Sequence, residues 1–258
     1  MKIRFSLQAK RLDAEEQERD AKGRFGSGGG GTSKSVSDFS DSEKEAIQSV
    51  VDGTAESINE ESWSPPPPPG MSTEELEEES DFIFANASED QLEAFGTYTE
   101  NSTIVNNLLR GKNVGSEAEI EAARKQVDAI DDVFADANLS DGVVAYRGMS
   151  LSSLEQQGVS LTPGTTFSDP AYLSTSAEEA VADRLFGSGG DDSALMEIAV
   201  PAGARALYLE NISQIPGESE LLLDRGQSIR IISVSEETVT RGSKSITRKR
   251  IRAELVRE

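Results

Sequence analysis

Asp141-Gly142 divides this chain into two kinds of pattern. Before it, apolar residues recur at spacings of three and four. After it, they come in short runs closed by Gly, Pro, Ser or Asp. A period near 3.6 builds one apolar face on a helix and a period of two builds one on a strand, so the halves must form different elements. Helices followed by many short strands, with few crossover helices among them, predict an α+β fold rather than a doubly wound parallel sheet.

The helical half carries its own start signals. Ser72-Thr73-Glu74-Glu75 offers a capping hydroxyl and first-turn carboxylates, which satisfy orphan N–H groups and suit the positive end of the helix dipole. A second helix is expected from Ser88 to Thr99, with Leu92 and Phe95 on one face and Tyr98 close by. Ile104, Val105, Leu108 and Leu109 then repeat before Gly111, which reads as a stop. Ser116 caps a longer helix with Ile120, Ala123, Val127, Ile130 and Phe134 along one side. In the second half the expected strands are Val143 to Tyr146, Thr166 to Phe167, Tyr172 to Ser174, Ala194 to Val200, Ala204 to Leu209, Glu220 to Leu223 and Ile229 to Val234. Ala177 to Phe186 interrupts them as a helix capped by Ser176, and Thr238 to Val256 reads as a terminal hairpin with a basic strand.

Residues 1–70 read as a disordered, linker-rich extension, and 71–258 as the folded domain. The extension joins a charged stretch from Lys10 to Lys22, a glycine linker from Gly23 to Gly31 and a polyproline run from Pro65 to Pro69. Such segments bury too little surface to offset the chain entropy lost on folding. An apolar fraction of 36% and a net charge of -22 fit that division. The acidic balance argues against a phosphate-binding face for nucleic acid and fits a basic or arginine-rich protein partner, or simply solubility. No apolar run is long enough to span a membrane, and the basic start lacks the apolar core of a cleaved signal peptide. The chain is therefore expected to act where it is made, or to be exported by a signal-independent route.

With no His and no Cys in the chain, hydroxyl triads, thiol nucleophiles, His-based metal sites and disulfides all lack their residues. Chemistry must rest on carboxylates, arginine, hydroxyls and backbone groups, and no metal is expected. Three short stretches offer them in order. Arg147 ends an apolar strand and precedes Gly148, Ser174-Thr175-Ser176 ends another, and Glu218 and Glu220 stand two residues apart before Leu221-Leu222-Leu223. Two residues is one strand repeat, so both acids are expected to point to one side. Taken singly, these stretches have plain readings. Arg147 could be a surface cation and Ser176 a helix cap, and with 47 acidic residues, pairs such as Glu117 and Glu119 arise by chance. Phe186 reads as core packing at least as well as anything else.

Taken together and in this order, the stretches resemble the mono-ADP-ribosyltransferases of the Arg, Ser-Thr-Ser, Glu-x-Glu class, found in many bacterial toxins and some phage enzymes. The resemblance covers roughly 72–258, and Phe95 to Arg110 is similar to that family's helical preface. It implies a fold of two small packed sheets flanked by helices, and NAD as cosubstrate. Arg147 would bind the diphosphate, Gly148 would lie near the nicotinamide amide, and Ser174 would hold Glu220 in place. Glu220 would hydrogen-bond the ribose, Glu218 would orient an arginine acceptor on a target protein, and Phe186 would lie against the nicotinamide ring. NAD hydrolysis without a protein acceptor stands as the alternative. The string Lys22-Gly23-Arg24-Phe25-Gly26-Ser27-Gly28-Gly29 is similar to short tags in phage head proteins, which adds virion association of the extension as a further expectation.

Overall fold

The structure is a computed structural model describing residues 70–112, 115–186, 192–241 and 244–256, without the side chains of Leu185, Phe186, Arg241 and Lys244. The extension at 1–69 and the glycine-rich sequence at 187–190 lie outside the described residues.

Four helices come first: α1 (Thr73–Phe84), α2 (Glu89–Glu100), α3 (Thr103–Leu109) and α4 (Glu117–Phe134). Three of them start at capping boxes. Ser72, Ser88 and Ser116 each accept a hydrogen bond from the backbone N–H three residues on, and the side-chain oxygens of Glu75, Gln91 and Glu119 each accept one from the cap residue's own N–H. Gly111, at φ 68°, follows the C-terminal end of α3 in the left-handed conformation that glycine adopts without steric cost. Beyond Gly142 come β1 (Val143–Ser150), α5 (Leu151–Gln156), β2 (Thr166–Ser168), β3 (Leu173–Ser176) and α6 (Glu179–Phe186). They are followed by β4 (Ser193–Val200), β5 (Ala206–Tyr208), β6 (Glu220–Leu223), β7 (Ser228–Arg241) and β8 (Lys244–Val256). The six-residue α5 was not expected, being too short to show a period. The strand expected at 229–234 and the terminal hairpin prove to be one long β7–β8 ribbon, with an irregularity between Ile231 and Ser233.

The strands form one mixed sheet in the order β2-β7-β8-β4-β1-β3-β6-β5, rather than the two sheets expected. Only β4 and β8 run parallel. A single rung, Tyr146 opposite Ser176, joins β1 to β3, and this is why one connected sheet behaves as two leaves. Residues from both leaves share one core: Val143 and Ala145 of β1, Met196 and Ile198 of β4, Leu173 of β3, and Leu221 and Leu223 of β6. The other side of the small leaf faces the helices. Leu222 and Leu207 pack there with Tyr172, Phe95, Tyr98, Val127, Ile130 and Phe134. The strands β3, β6 and β5 are thus covered on both faces, and β6 is buried at all four positions.

Candidate active site

The expected residues come together where the two leaves meet. Arg147 sits on β1 one residue beyond the connecting rung, and its Nη1 donates a hydrogen bond across the gap to the Ser174 carbonyl. Its Nε is buried and has no hydrogen-bond partner, a costly state for a charged donor. Burial holds this guanidinium below its ordinary pKa; Asp169, Tyr98 and Glu220 oppose that shift and Arg110 adds to it. Gly148 follows on the same strand, opposite Leu195 of β4.

β3 carries the hydroxyls and lies against β6, with Ser174 opposite Leu222, Thr175 opposite Leu221 and Ser176 opposite Glu220. The Ser174 hydroxyl hydrogen-bonds the Glu220 carboxyl and also reaches Tyr98. Thr175 points to the other side and donates to the Leu221 carbonyl. Ser176 donates to the Glu218 carbonyl at 2.9 Å and accepts from the Glu178 N–H at 3.1 Å. It therefore ties the turn that leads into α6, but the helix begins at Glu179 rather than Ala177, so Ser176 stands two residues before the cap position.

The two acids do not share a face by strand alternation. β6 begins at Glu220, and Ser219 takes φ 46°, the only left-handed non-glycine residue among those described. Glu218 thus belongs to the preceding turn, yet its charge still acts on Glu220. Glu220 is only 7% exposed. Burial pushes its carboxyl up to about 7, with Glu218 adding and Ser174 and Arg147 opposing.

Four polar residues at this junction were not singled out as site residues from the sequence. Tyr98 of α2 is buried beside Glu220 and accepts a hydrogen bond from Asn106 Nδ2 at 3.0 Å; burial first, then the charge of Glu220, pushes its hydroxyl up to about 12. Arg110, just past α3, grips Asp169 with two bonds of 3.0 and 2.7 Å, bringing a second guanidinium into the neighbourhood of Arg147. The available signal was a polar tip on an otherwise apolar helix face, as at Tyr98. The Phe186 side chain lies outside the described residues. A surface cavity of about 320 Å³ opens elsewhere, but its lining of Glu75, Glu78, Glu79 and Asp141 would repel a diphosphate.

A family model described as ADP-ribosyltransferase exoenzyme matches residues 72–256. The chain is 25% identical over 154 residues to the NAD(+)--arginine ADP-ribosyltransferase EFV of Enterococcus faecalis, covering 58% of this chain but only 30% of that protein. Among solved structures it resembles Plx2a, an ADP-ribosyltransferase toxin from Paenibacillus larvae (TM-score 0.57, 22% identity, 72% of this chain and 96% of that one). It also resembles the Clostridium limosum C3 exoenzyme (TM-score 0.55, 23% identity, 72% and 96%). A third is the ADP-ribosylating toxin BECa of Clostridium perfringens, solved with NADH (TM-score 0.59, 18% identity, 71% and 47%). At these identities the structures speak for the fold alone. The family model spans well over half the chain, and on that ground the protein belongs to the ADP-ribosyltransferase exoenzyme family.

Proposed function

We propose that the protein is an NAD-dependent mono-ADP-ribosyltransferase that moves ADP-ribose onto arginine side chains of a target protein and releases nicotinamide. The observation that carries this reading is the buried Glu220, held by a serine hydroxyl beside a second acid and an arginine whose Nε lacks a partner. The fit to a dinucleotide rests on Arg147, since a guanidinium binds diphosphate oxygens through charge-assisted, forked bonds and its Nε lacks a partner. NAD, once bound, supplies a ribose–nicotinamide bond that breaks with its electron pair leaving on nicotinamide, so positive charge develops on the ribose.

Glu220 is suited to meet that charge. Burial outweighs the nearby Arg147 charge and holds this carboxyl up near 7 with no ion pair among the described residues, so a cation that appears only as the bond breaks is stabilised more than the ground state. Ser174 and the β3–β6 ladder fix its direction. Glu218, in the turn before it, orients the acceptor guanidinium and takes its proton as the new carbon–nitrogen bond forms. That group is protonated at neutral pH and attacks only as the proton leaves. The arginine acceptor is supported by Glu at both positions and by the name of the Enterococcus relative. Virion association has no such support. It rests on residues 22–29, outside the described residues, and the relatives above are bacterial proteins.

The test is incubation with labelled NAD and a cell lysate, followed by mass spectrometry of the modified side chain, with Glu218→Gln and Glu220→Gln run in parallel. Label on arginine, lost in both variants, is the expected result, with NAD hydrolysis surviving only in Glu218→Gln. Label on another side chain overturns the arginine acceptor, and release of free ADP-ribose without labelled protein makes the chain a hydrolase.

A further inference from the structure

The eleven residues 209–219 link β5 to β6 and deliver both acids. Their far end is bent sharply: Gly217 has φ 87° and Ser219 φ 46°. An L-residue pays a steric cost in that region, so something must hold Ser219 there. All three of its polar groups are engaged. Its carbonyl accepts from Ala177 N at 2.9 Å, its hydroxyl donates to Glu178 Oε1 at 2.9 Å, and its N–H donates to Glu210 Oε2 at 3.0 Å. Glu210 Oε1 accepts from Gly217 N at 2.6 Å. One carboxylate at the start of the connection thus closes both left-handed positions at its end and brackets Glu218 between its two bonds.

We propose that Glu210 is a positioning residue that sets where Glu218 stands relative to Glu220. The proposal rests on the reading of Glu218 as the acceptor-facing acid. Glu220 does not depend on the same clamp, because the rung opposite Ser176 and the bond from Leu209 N to its carbonyl at 2.9 Å hold it independently. The body of the connection is also tied elsewhere. Asn211 Nδ2 bonds Glu77 at 2.8 Å and Asp81 at 3.1 and 3.0 Å, and Gln214 N bonds Thr99 Oγ1 at 3.0 Å. Losing the Glu210 carboxylate therefore releases the Gly217 and Ser219 N–H groups and loosens the turn, while Ser176 Oγ still holds the Glu218 carbonyl at 2.9 Å and Ser219 keeps its bonds to Ala177 and Glu178. Transfer to an acceptor should suffer and NAD hydrolysis should not.

The test uses the full chain as wild type, Glu210→Ala, Glu210→Gln, Glu218→Gln and Glu220→Gln. Amide hydrogen exchange is read at Gly217 and Ser219, together with NAD hydrolysis and kcat for transfer to a small arginine analogue. In Glu210→Ala both amides should exchange at least about tenfold faster, transfer should fall about 10²-fold, and hydrolysis should stay within about threefold. Glu210→Gln, with one acceptor oxygen left and its shape kept, should fall between, and it serves alone if the alanine variant does not fold. Unchanged exchange, unchanged transfer, or hydrolysis falling in step with transfer each overturns the proposal. Normal transfer by Glu218→Gln would retire the acceptor reading instead, while the two amides would still decide whether Glu210 holds the turn.

Discussion

β4 and β6 each bury a carboxylate to nearly the same degree, Glu197 at 8% exposure and Glu220 at 7%. Their surroundings differ. Glu197 receives Arg250 Nη2 at 2.6 Å and Nε at 3.1 Å, with Arg252 Nε at 3.9 Å. It belongs to a lattice in which Arg250 also reaches Glu179 and Glu237, and Arg248 reaches Asp183 and Glu237, tying α6 to the long ribbon. Glu220 has a serine hydroxyl, a neighbouring acid and no ion pair among the described residues. A buried charge with a forked guanidinium is architecture. One denied such a partner stays high in free energy and is ready to meet a cation supplied by a reaction.

That contrast fails at once if Glu220→Gln, folded, turns NAD over normally. The expected loss is about 10²- to 10⁴-fold in rate, the usual effect of removing a positioned charge or acid–base group. Glu197→Gln should leave the rate alone. Next in size is the packing that denies Glu220 its water. Leu222 is fully buried against the helices, so Leu222→Ala should cost about 2–5 kcal/mol in a denaturant melt. A smaller loss would mean the helical side of β6 is looser than it looks.

The pH dependence of stability separates the two acids further. The folded-state value of Glu220 is raised from 4.5 to about 7, so the folded protein holds this proton more tightly than the unfolded chain. The resulting stabilisation is full below about pH 4.5 and is lost as pH rises through about 7. Glu220→Gln should match wild type at low pH and exceed it at pH 8 by on the order of 2–4 kcal/mol. Equal stability at both pH values would show that the carboxyl is solvated. The smallest effect expected is that of Glu197→Gln on stability, a loss of about 1–3 kcal/mol, since Arg250 keeps its other carboxylates. A gain on that substitution would show the lattice to be costlier than an apolar filling.

What could be read from the sequence followed from how local each signal was. The capping boxes at Ser72, Ser88 and Ser116 lie within four residues, and the helices begin where they place them. The length of β7 and β8 was hidden because Ser, Thr, Glu and Arg alternate along them without an apolar run. The single rung between β1 and β3 leaves no trace in either strand, so nothing in the residues corrected the two sheets implied by the family resemblance. At the site, Arg147, Ser174, Glu218 and Glu220 were located by their order along the chain. Tyr98, Asn106 and Arg110 reach the same junction from α2, α3 and the residue just past α3, far away in sequence, and the packing of those helices on the small leaf brings them in, while Asp169 lies just ahead of β3 and meets Arg110 there. The turn at Ser219 also defeated the argument from strand repeat, because one left-handed residue resets which way its neighbours face.

The solitary rung between Tyr146 and Ser176 has a further consequence. β1 is fully laddered to β4 from Val143 to Ser150, but on its other side it leaves β3 after one pair, so Arg147 and Gly148 border a slit within the sheet. Such a slit is an edge turned inward. It is shielded from the strand-on-strand aggregation that outer edges invite. The fold that contains this slit is shared with Plx2a at 22% identity over 72% of the chain.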